Sequence, residues 1–229
     1  MSEASKLPIY EHFFSWQGEG QHRGRSAYFI RSFGCPVHCP WCDSAGTWHP
    51  DYIPKTIEKL SPRTLLDIAV KAQPSFIVIT GGEPCIHDFS AFCKLASEAD
   101  IPVHLETSGA FPIKGNFDWI TVSPKTWKKP LPETIAQADE IKLIVDSSDC
   151  IDRWIEAFPS LAQVRTVWLH PEWSNRKDPQ ILNAITKWVK VKGDPYRAGY
   201  QMHKLFAADE ADPQSRAQVP LGGKPELGY

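Results

Sequence analysis

No stretch of this 229-residue chain approaches the run of about 20 apolar side chains that a membrane-crossing helix requires. The opening segment, MSEASKLPIYEHFFSWQGEG, has neither a basic start followed by an apolar core nor a cleavage site. A cytoplasmic protein with no membrane partner is therefore expected. Excess charge is missing too: 25 Lys and Arg against 27 Asp and Glu leave a net −2. That balance gives no electrostatic footprint for nucleic acid, although a few local arginines suffice for a small anionic ligand. No internal repeat or low-complexity segment is evident. What is present is ordinary for a globular protein, with 42% hydrophobic and 23% charged residues, and long enough to bury a substantial core.

Cysteine is scarce and unevenly spread. Of six, Cys85, Cys93 and Cys150 are scattered in apolar surroundings and read as buried free thiols of a reducing compartment. The other three fall in FGCPVHCPWCDSAGTW, residues 33–48, where Cys35, Cys39 and Cys42 stand at C-x3-C-x2-C spacing. Three thiolates so close in sequence can converge on one soft-metal centre without a long loop. A [4Fe–4S] cluster normally takes four cysteine thiolates, so three leave one iron open to another ligand. The intervals match neither zinc fingers nor the four-cysteine ferredoxin runs. A structural zinc knuckle, completed by His38 or a distant residue, is the competing reading.

Around the loop the chain alternates. Residues 1–10 read as an irregular start, and 11–25, with Gly18, Gly20 and Gly24, as a turn or short hairpin. Ser26–Phe33 reads as a strand with Tyr28, Ile30 and Ser32 on one face and Phe29, Arg31 and Phe33 on the other. Ser61-Pro62 opens a helix whose buried stripe is Leu65, Ile68, Ala69 and Ala72. FIVIT at 76–80 reads as a strand covered on both faces, and Asp88 as the cap of a second helix. Strands follow at 103–107, 119–122, 140–146 and 164–170, helices at 132–138, at 149–157 and through Ile181 to Val189, and a last strand at 197–203. Such alternation argues for a parallel sheet with right-handed crossovers. At about 31 residues per unit of a full barrel, the span holds about six units. The expected fold is α/β, an incomplete (βα)6-type TIM barrel open on one side, over about 26–204 of a single domain spanning 1–229. An irregular tail occupies 205–229, and a doubly wound sheet is the alternative. Chemistry then belongs at the C-terminal ends of the strands.

The cysteine triad after one strand and Thr80-Gly81-Gly82-Glu83-Pro84 after the next form a pairing that resembles the radical S-adenosylmethionine (SAM) enzymes. The resemblance implies a [4Fe–4S] cluster on Cys35, Cys39 and Cys42. It also implies SAM chelated to the open iron through its amino and carboxylate groups, and cleaved to methionine and a 5′-deoxyadenosyl radical. Implied SAM contacts are Trp41, Asp43, Gly82 and Glu83, and, at two later strand ends, Thr107-Ser108 and Ser123-Pro124-Lys125. Glycine lets backbone come close to the ligand, and a carboxylate complements its ammonium.

Further motifs narrow the likeness. S-x-Q-G-E-G at 15–20, F-x-R-x3-C at 29–35, C-D-S at 42–44 and Y-Q-x-H-K at 200–204 are similar to those of the 7-carboxy-7-deazaguanine synthases, over about Phe13 to Lys204. That family converts 6-carboxy-5,6,7,8-tetrahydropterin to 7-carboxy-7-deazaguanine with release of ammonia, toward queuosine-type deazapurines. By this likeness Trp16, Gln17, Gly18, Glu19, Arg31, Thr80 and His203 would bind the pterin, Arg31 through its planar fork on the substrate carboxylate. Ser44 would ligate Mg2+, which prefers oxygen ligands and keeps several waters, and Asp43 would order those waters or hold a ring nitrogen. No side chain is assigned as catalytic, because the radical comes from the cofactor. A homodimer and an electron donor such as flavodoxin or ferredoxin are implied as well. The activating protein of a glycyl-radical enzyme shares the cysteine spacing but typically lacks the Gln17, Glu19 and Arg31 set. One departure stands out: the chain runs 25 residues past Lys204, so either the tail or some other residue closes the pocket.

Overall fold

The chain enters its sheet earlier than the sequence suggests. In the computed structural model, which describes residues 5–159 and 164–216, the irregular start gives way at Leu7 to a strand, β1 (Leu7–Trp16), and the turn or short hairpin expected over 11–25 is the turn of a longer hairpin. The cause is the glycine-rich stretch after it. Gln17 N donates to Arg25 O at 2.9 Å and Gly24 N to Gln17 O at 2.7 Å, so the chain reverses and β1 lies antiparallel along β2, Ser26–Ser32. Mixed aromatic and charged residues hid the strand, since Leu7, Ile9, Tyr10 and Phe13 are all buried without simple alternation.

A short antiparallel edge, β3 (Glu58–Leu60), flanks β1. From β2 onward every pairing is parallel: β4 (Phe76–Gly81), β5 (Val103–Thr107), β6 (Trp119–Val122), β7 (Glu140–Val145), β8 (Val167–Pro171) and β9 (Tyr196–Ala198). The nine strands run in the order β3-β1-β2-β4-β5-β6-β7-β8-β9. Strand order along the parallel run never reverses, so there is no topological switch point of the kind that defines a doubly wound sheet.

Helices α1 (Pro62–Lys71), α2 (Ser90–Glu98), α3 (Pro132–Gln137), α4 (Cys150–Ala157) and α5 (Pro179–Lys192) fill the crossovers, except that 108–118, between β5 and β6, holds no helix. The first begins as expected, with Ser61 Oγ accepting from Thr64 N at 3.1 Å and Pro62 in the first turn. At α2 the cap position falls on Phe89, while Asp88 Oδ1 accepts from Ser90 N at 2.9 Å. The strand expected from 164 starts only at Val167. The strand expected over 197–203 stops at Ala198, and Met202–Leu205 forms a helical turn, α6. Two contacts explain the change. Gly199 passes so near His170 that an added Cβ would lie 2.1 Å from its Nε2, and Met202 N is drawn onto Gly18 O at 3.1 Å.

Alternation then sorts the side chains. The main core lies between the sheet and α1, α2, α4 and α5, with Ile30, Ile77, Ile79, Leu105 and Leu143 meeting Leu65, Phe92, Trp154 and Ile185. Full burial of each such side chain contributes roughly 1.5–3 kcal/mol. The opposite face carries only a small apolar cluster of Phe13, Ala27, Phe29, Phe76 and Val78. Farther along β2 and β4 that face turns polar, at Arg31 and Thr80, as the period of two requires, and Glu106 of β5 and Lys142 of β7 join them around one cavity.

After α6 the chain folds back as a strap over β1. Asp212 Oδ2 accepts from Phe14 N at 2.8 Å, Asp209 Oδ1 from Ser15 Oγ at 3.2 Å, and Gln214 Oε1 from Tyr28 OH at 3.4 Å. Residues 217–229 of the expected tail lie outside the described residues, as do 1–4 and 160–163. No helix among the described residues is long and apolar enough to cross a membrane.

Candidate active site

The cysteine loop leaves the end of β2 through Gly34, at φ 100°, and turns again at His38, at φ 54°. Its three thiols line a single cavity together with the ends of β2, β4, β5, β6 and β7. Hydrogen-bond donors are aimed at the sulfurs: the amides of Val37 and His38 at Cys35, the amide of Ser44 at Cys42, and Trp48 Nε1 at Cys42 Sγ at 3.4 Å. Such N–H groups favour thiolate and tune the potential of an iron–sulfur centre. Burial acts oppositely, pushing the Cys39 thiol up to about 11 and the Cys42 thiol up to about 12, so ionisation here calls for a bound cationic centre. The donor set fits a cluster held by three cysteines. His38, the fourth ligand a zinc knuckle would recruit, is exposed and stacks on Trp48 with ring centroids 4.2 Å apart. Among the described residues no group of three or more His, Cys, Asp or Glu side chains closes around a lone metal ion. Cys85, Cys93 and Cys150 are buried free thiols, as expected.

A second wall is stitched to this loop. Gly82 N donates to Ser32 O at 3.1 Å and Glu83 N to Gly34 O at 2.8 Å. A Cβ on Gly82 would lie 2.2 Å from Gly34 O and 3.0 Å from Cys35 Cβ, so only glycine lets the two backbones meet. Glu83 is 1% exposed and fully engaged. Its Oε1 accepts from Thr107 Oγ1 at 2.6 Å and Cys85 N at 3.0 Å, and its Oε2 from Ser108 N at 2.9 Å and Ser108 Oγ at 2.5 Å. Four donors compensate the desolvation of the carboxylate. Thr107 and Ser108 therefore hold Glu83 first, and face the cavity second. Beside them Lys125, buried, donates to Ser123 O at 2.5 Å and Ser123 Oγ at 2.9 Å, and burial lowers its pKa.

The far wall is built of paired charges. Glu106 accepts from Gln17 Nε2 at 2.8 Å and from Thr80 Oγ1 at 3.2 Å. Glu19 is ion-paired with Lys142 and accepts from Gln201 Nε2 at 2.7 Å. Burial alone would raise the Glu19 pKa, but the Lys142 ammonium, helped by His170 and His203, holds it well below the usual carboxylate range. Arg31 donates through Nε to Glu11 Oε1 at 2.7 Å. Asp43 accepts from Lys204 Nζ at 2.7 Å and from Ser44 Oγ at 3.3 Å. Burial again opposes its charge, and Lys204 holds it ionised, below its ordinary value.

Most of the expected residues meet here. Gln17, Glu19, Arg31, Thr80 and His203 line the cavity, as do Trp41, Asp43, Ser44, Gly82, Glu83, Thr107, Ser108, Ser123 and Lys125. Trp16, Gly18 and Pro124 stand outside the lining. Trp16 instead meets Phe206 edge-on, with ring centroids 5.5 Å apart. Gly18 lies against His203, where a Cβ would sit 2.0 Å from Nδ1, and so sets that ring's position. Sequence reasoning passed over Glu11, Lys142 and Arg216. Lys142 left one signal, a lone lysine in the apolar strand EIKLIV, because such a charge is almost never buried without a partner.

Comparison with known proteins agrees with this geometry. A family model described as Radical SAM superfamily matches residues 29–165. The chain is 44% identical over 200 residues to a 7-carboxy-7-deazaguanine synthase of Synechocystis sp., covering 87% of this chain and 92% of the relative. It is 36% identical over 233 residues to the enzyme of the same name from Escherichia coli K12, covering 88% and 98%. A solved structure, the crystal structure of QueE from Escherichia coli, superposes with a TM-score of 0.74 at 31% identity, over 86% of this chain and 95% of that one.

Proposed function

The chain belongs to the radical SAM superfamily and, within it, to the 7-carboxy-7-deazaguanine synthases, and on that premise we propose that it converts 6-carboxy-5,6,7,8-tetrahydropterin to 7-carboxy-7-deazaguanine with release of ammonia, toward queuosine-type deazapurines. The observation that carries this reading is convergence: the three thiols, the Glu83 wall and the Gln17–Glu106–Thr80 chain all face one cavity.

Cys35, Cys39 and Cys42 would hold a [4Fe–4S] cluster, and the wall of Gly82, Glu83, Ser123 and Lys125 would receive SAM. When bound, and given one electron from an external reductant, the pair would supply an organic radical able to take a hydrogen atom. This chain's own residues then position and shield the substrate. Gln17 presents an amide, and Glu106, holding two neutral donors, can exchange one of them for an N–H on the pterin edge. Arg31, anchored through Nε, keeps its terminal nitrogens for a carboxylate. Lys142 neutralises Glu19, so the pocket floor can accept hydrogen bonds without an unpaired charge. A buried site fixes a near-attack geometry and keeps water from a reactive intermediate.

Other parts of the reading extend further. Ser44 Oγ, next to the ionised Asp43, is a candidate Mg2+ ligand, the carboxylate ordering the ion's waters. We read β2 and β4 to β8 as the six strands of an incomplete (βα)6-type barrel, open beside the short β9, within a single domain. A homodimer, a flavodoxin- or ferredoxin-type electron donor and a cytoplasmic location complete the proposal.

The test is anaerobic reconstitution with iron and sulfide, then incubation with SAM, reductant and the carboxytetrahydropterin, with product mass as readout. Mass corresponding to the deazaguanine supports the reading. SAM cleavage without that product would overturn the substrate, and a protein that takes up zinc but no iron would overturn the chemistry.

A further inference from the structure

The cavity is lined by seven carboxylates and five Lys or Arg side chains. Most of those cations are already committed. Lys142 pairs with Glu19, Lys204 with Asp43, and Arg31 with Glu11. Among the described residues Lys125 has no carboxylate ion-paired with it, but it is turned onto Ser123 and toward the thiols of Cys39 and Cys35. Arg216 differs from all of them. Its backbone amide donates to Glu11 Oε2 at 2.5 Å, while its guanidinium lies over the Tyr10 ring, 5.0 Å from the centroid. Among the described residues no carboxylate is ion-paired with that guanidinium. The residue is exposed and stands at the cavity mouth. It arrives there because the strap is pinned to β1 through Asp209 and Asp212.

Arg31 keeps its terminal nitrogens but shares its charge with Glu11, so an anionic ligand entering this acid-rich cavity gains from a second cation that is not already neutralised. A guanidinium steadied on an aromatic face offers one, with its planar fork free. We propose that Arg216 is a specificity-determining residue, held at the mouth by the strap, which receives the carboxylate of the pterin substrate from the side of Glu11 opposite Arg31. The inference rests on the pterin reading above and deepens it. Glu11 sits between the two arginines, bonded to the side chain of one and the backbone of the other. The Arg216 side chain can thus be changed without cutting the bond that ends the strap.

The test is equilibrium binding to the cluster-reconstituted full chain, anaerobically and without reductant so that no turnover occurs. Fluorescence titrations with 6-carboxypterin and with pterin, which lacks the carboxylate, are run on the wild type, R216A and R216K. Wild type should prefer 6-carboxypterin. R216A should lose about tenfold for that ligand and nothing for pterin, the modest end for a charge-assisted bond at an exposed site. R216K should keep part of the preference. If R216A binds 6-carboxypterin as the wild type does, or weakens for both ligands alike, the role of Arg216 is overturned while the pterin reading stands. If the wild type binds neither ligand, the pterin reading itself falls.

Discussion

Replacing Lys142 by Met isolates one heavily buried charge pair of the cavity. The Lys142 and Glu19 side chains are 17% and 10% exposed. At contact distance and an effective dielectric of about 20, their attraction is about 5 kcal/mol. Removing one partner of a buried pair leaves the other charge stranded, and typically costs about 3–5 kcal/mol. Gln201 remains bonded to Glu19, so a loss of about 3 kcal/mol is expected for K142M at pH 7.5, read from urea unfolding by circular dichroism on the cluster-free chain. The double variant K142M/E19Q should recover most of that loss, because no charge is then left without a partner.

The pH dependence gives an independent sign. In the wild type Glu19 is held below its ordinary value of 4.5, so its contribution is complete above that pH and is lost as pH falls through the folded-state value. In K142M, burial, the largest influence on Glu19, outweighs what His170, His203 and the Gln201 bond still supply and raises the carboxyl, so the variant should close the gap to the wild type between pH 7.5 and 5. A K142M protein within 1 kcal/mol of wild type, or a double variant no better than the single one, would refute the argument.

Three further outcomes are expected. Gly82→Ala forces a Cβ to 2.2 Å from Gly34 O, so iron bound per chain after reconstitution should drop at least severalfold while the far-ultraviolet spectrum is kept; unchanged iron uptake would contradict the close approach. Ser44→Ala should keep its iron but lose most of the Mg2+ stimulation of turnover, and a Mg2+ titration coinciding with the wild type would remove Ser44 as a ligand. His104, stacked on Phe76 at 4.0 Å, is pushed down to about 3 by burial, with His22 and Arg25 adding to the effect. The unfolded chain therefore takes up a proton that the folded one refuses, and stability should fall as pH drops from about 6.5 toward 4.5, with His104 contributing about 2 kcal/mol. His104→Phe keeps the stack and should flatten that part of the slope; an unaltered slope would assign the loss to other groups.

The cysteine loop was legible because all its information is local: three thiols within eight positions, entered from a strand whose alternation is clean. The same alternation placed Arg31 on the cavity face and Ile30 in the core. Helix α1 was legible for a similar reason, its Ser61 cap and Pro62 being adjacent in sequence. Strand β1 was not, because its pairing exists only once the chain has turned back, bringing Trp16 opposite Ser26 and His12 opposite Ile30 across the hairpin. The final strand failed as well, since nothing in RAGYQMH announces that Gly199 must slip past His170 and that Met202 will bond to Gly18. Glu11 and Lys142 escaped for one common cause. Each acquires meaning only from a partner elsewhere in the chain, Arg31 on β2 for the first and Glu19 in the turn after β1, 123 positions away, for the second. The strap was invisible because its anchors, Asp209 and Asp212, look like any surface acids until β1 lies beneath them.

Arg31 faces Thr80, and Ser32 faces Gly81, on consecutive rungs between β2 and β4. Just beyond, two residues on in one strand and one in the other, β2 and β4 run into Gly34 and Gly82, which touch. Groups that would grip the substrate and groups that would grip the iron centre are therefore mounted on the same pair of rails, at about 3.3 Å per residue, with no joint between them. The gap that a hydrogen atom must cross is thus gauged by backbone covalent geometry rather than by any movable part. On the reading above, ligand choice would be recut at the open rim, where the strap brings Arg216, and the reach between the reacting centres would not change.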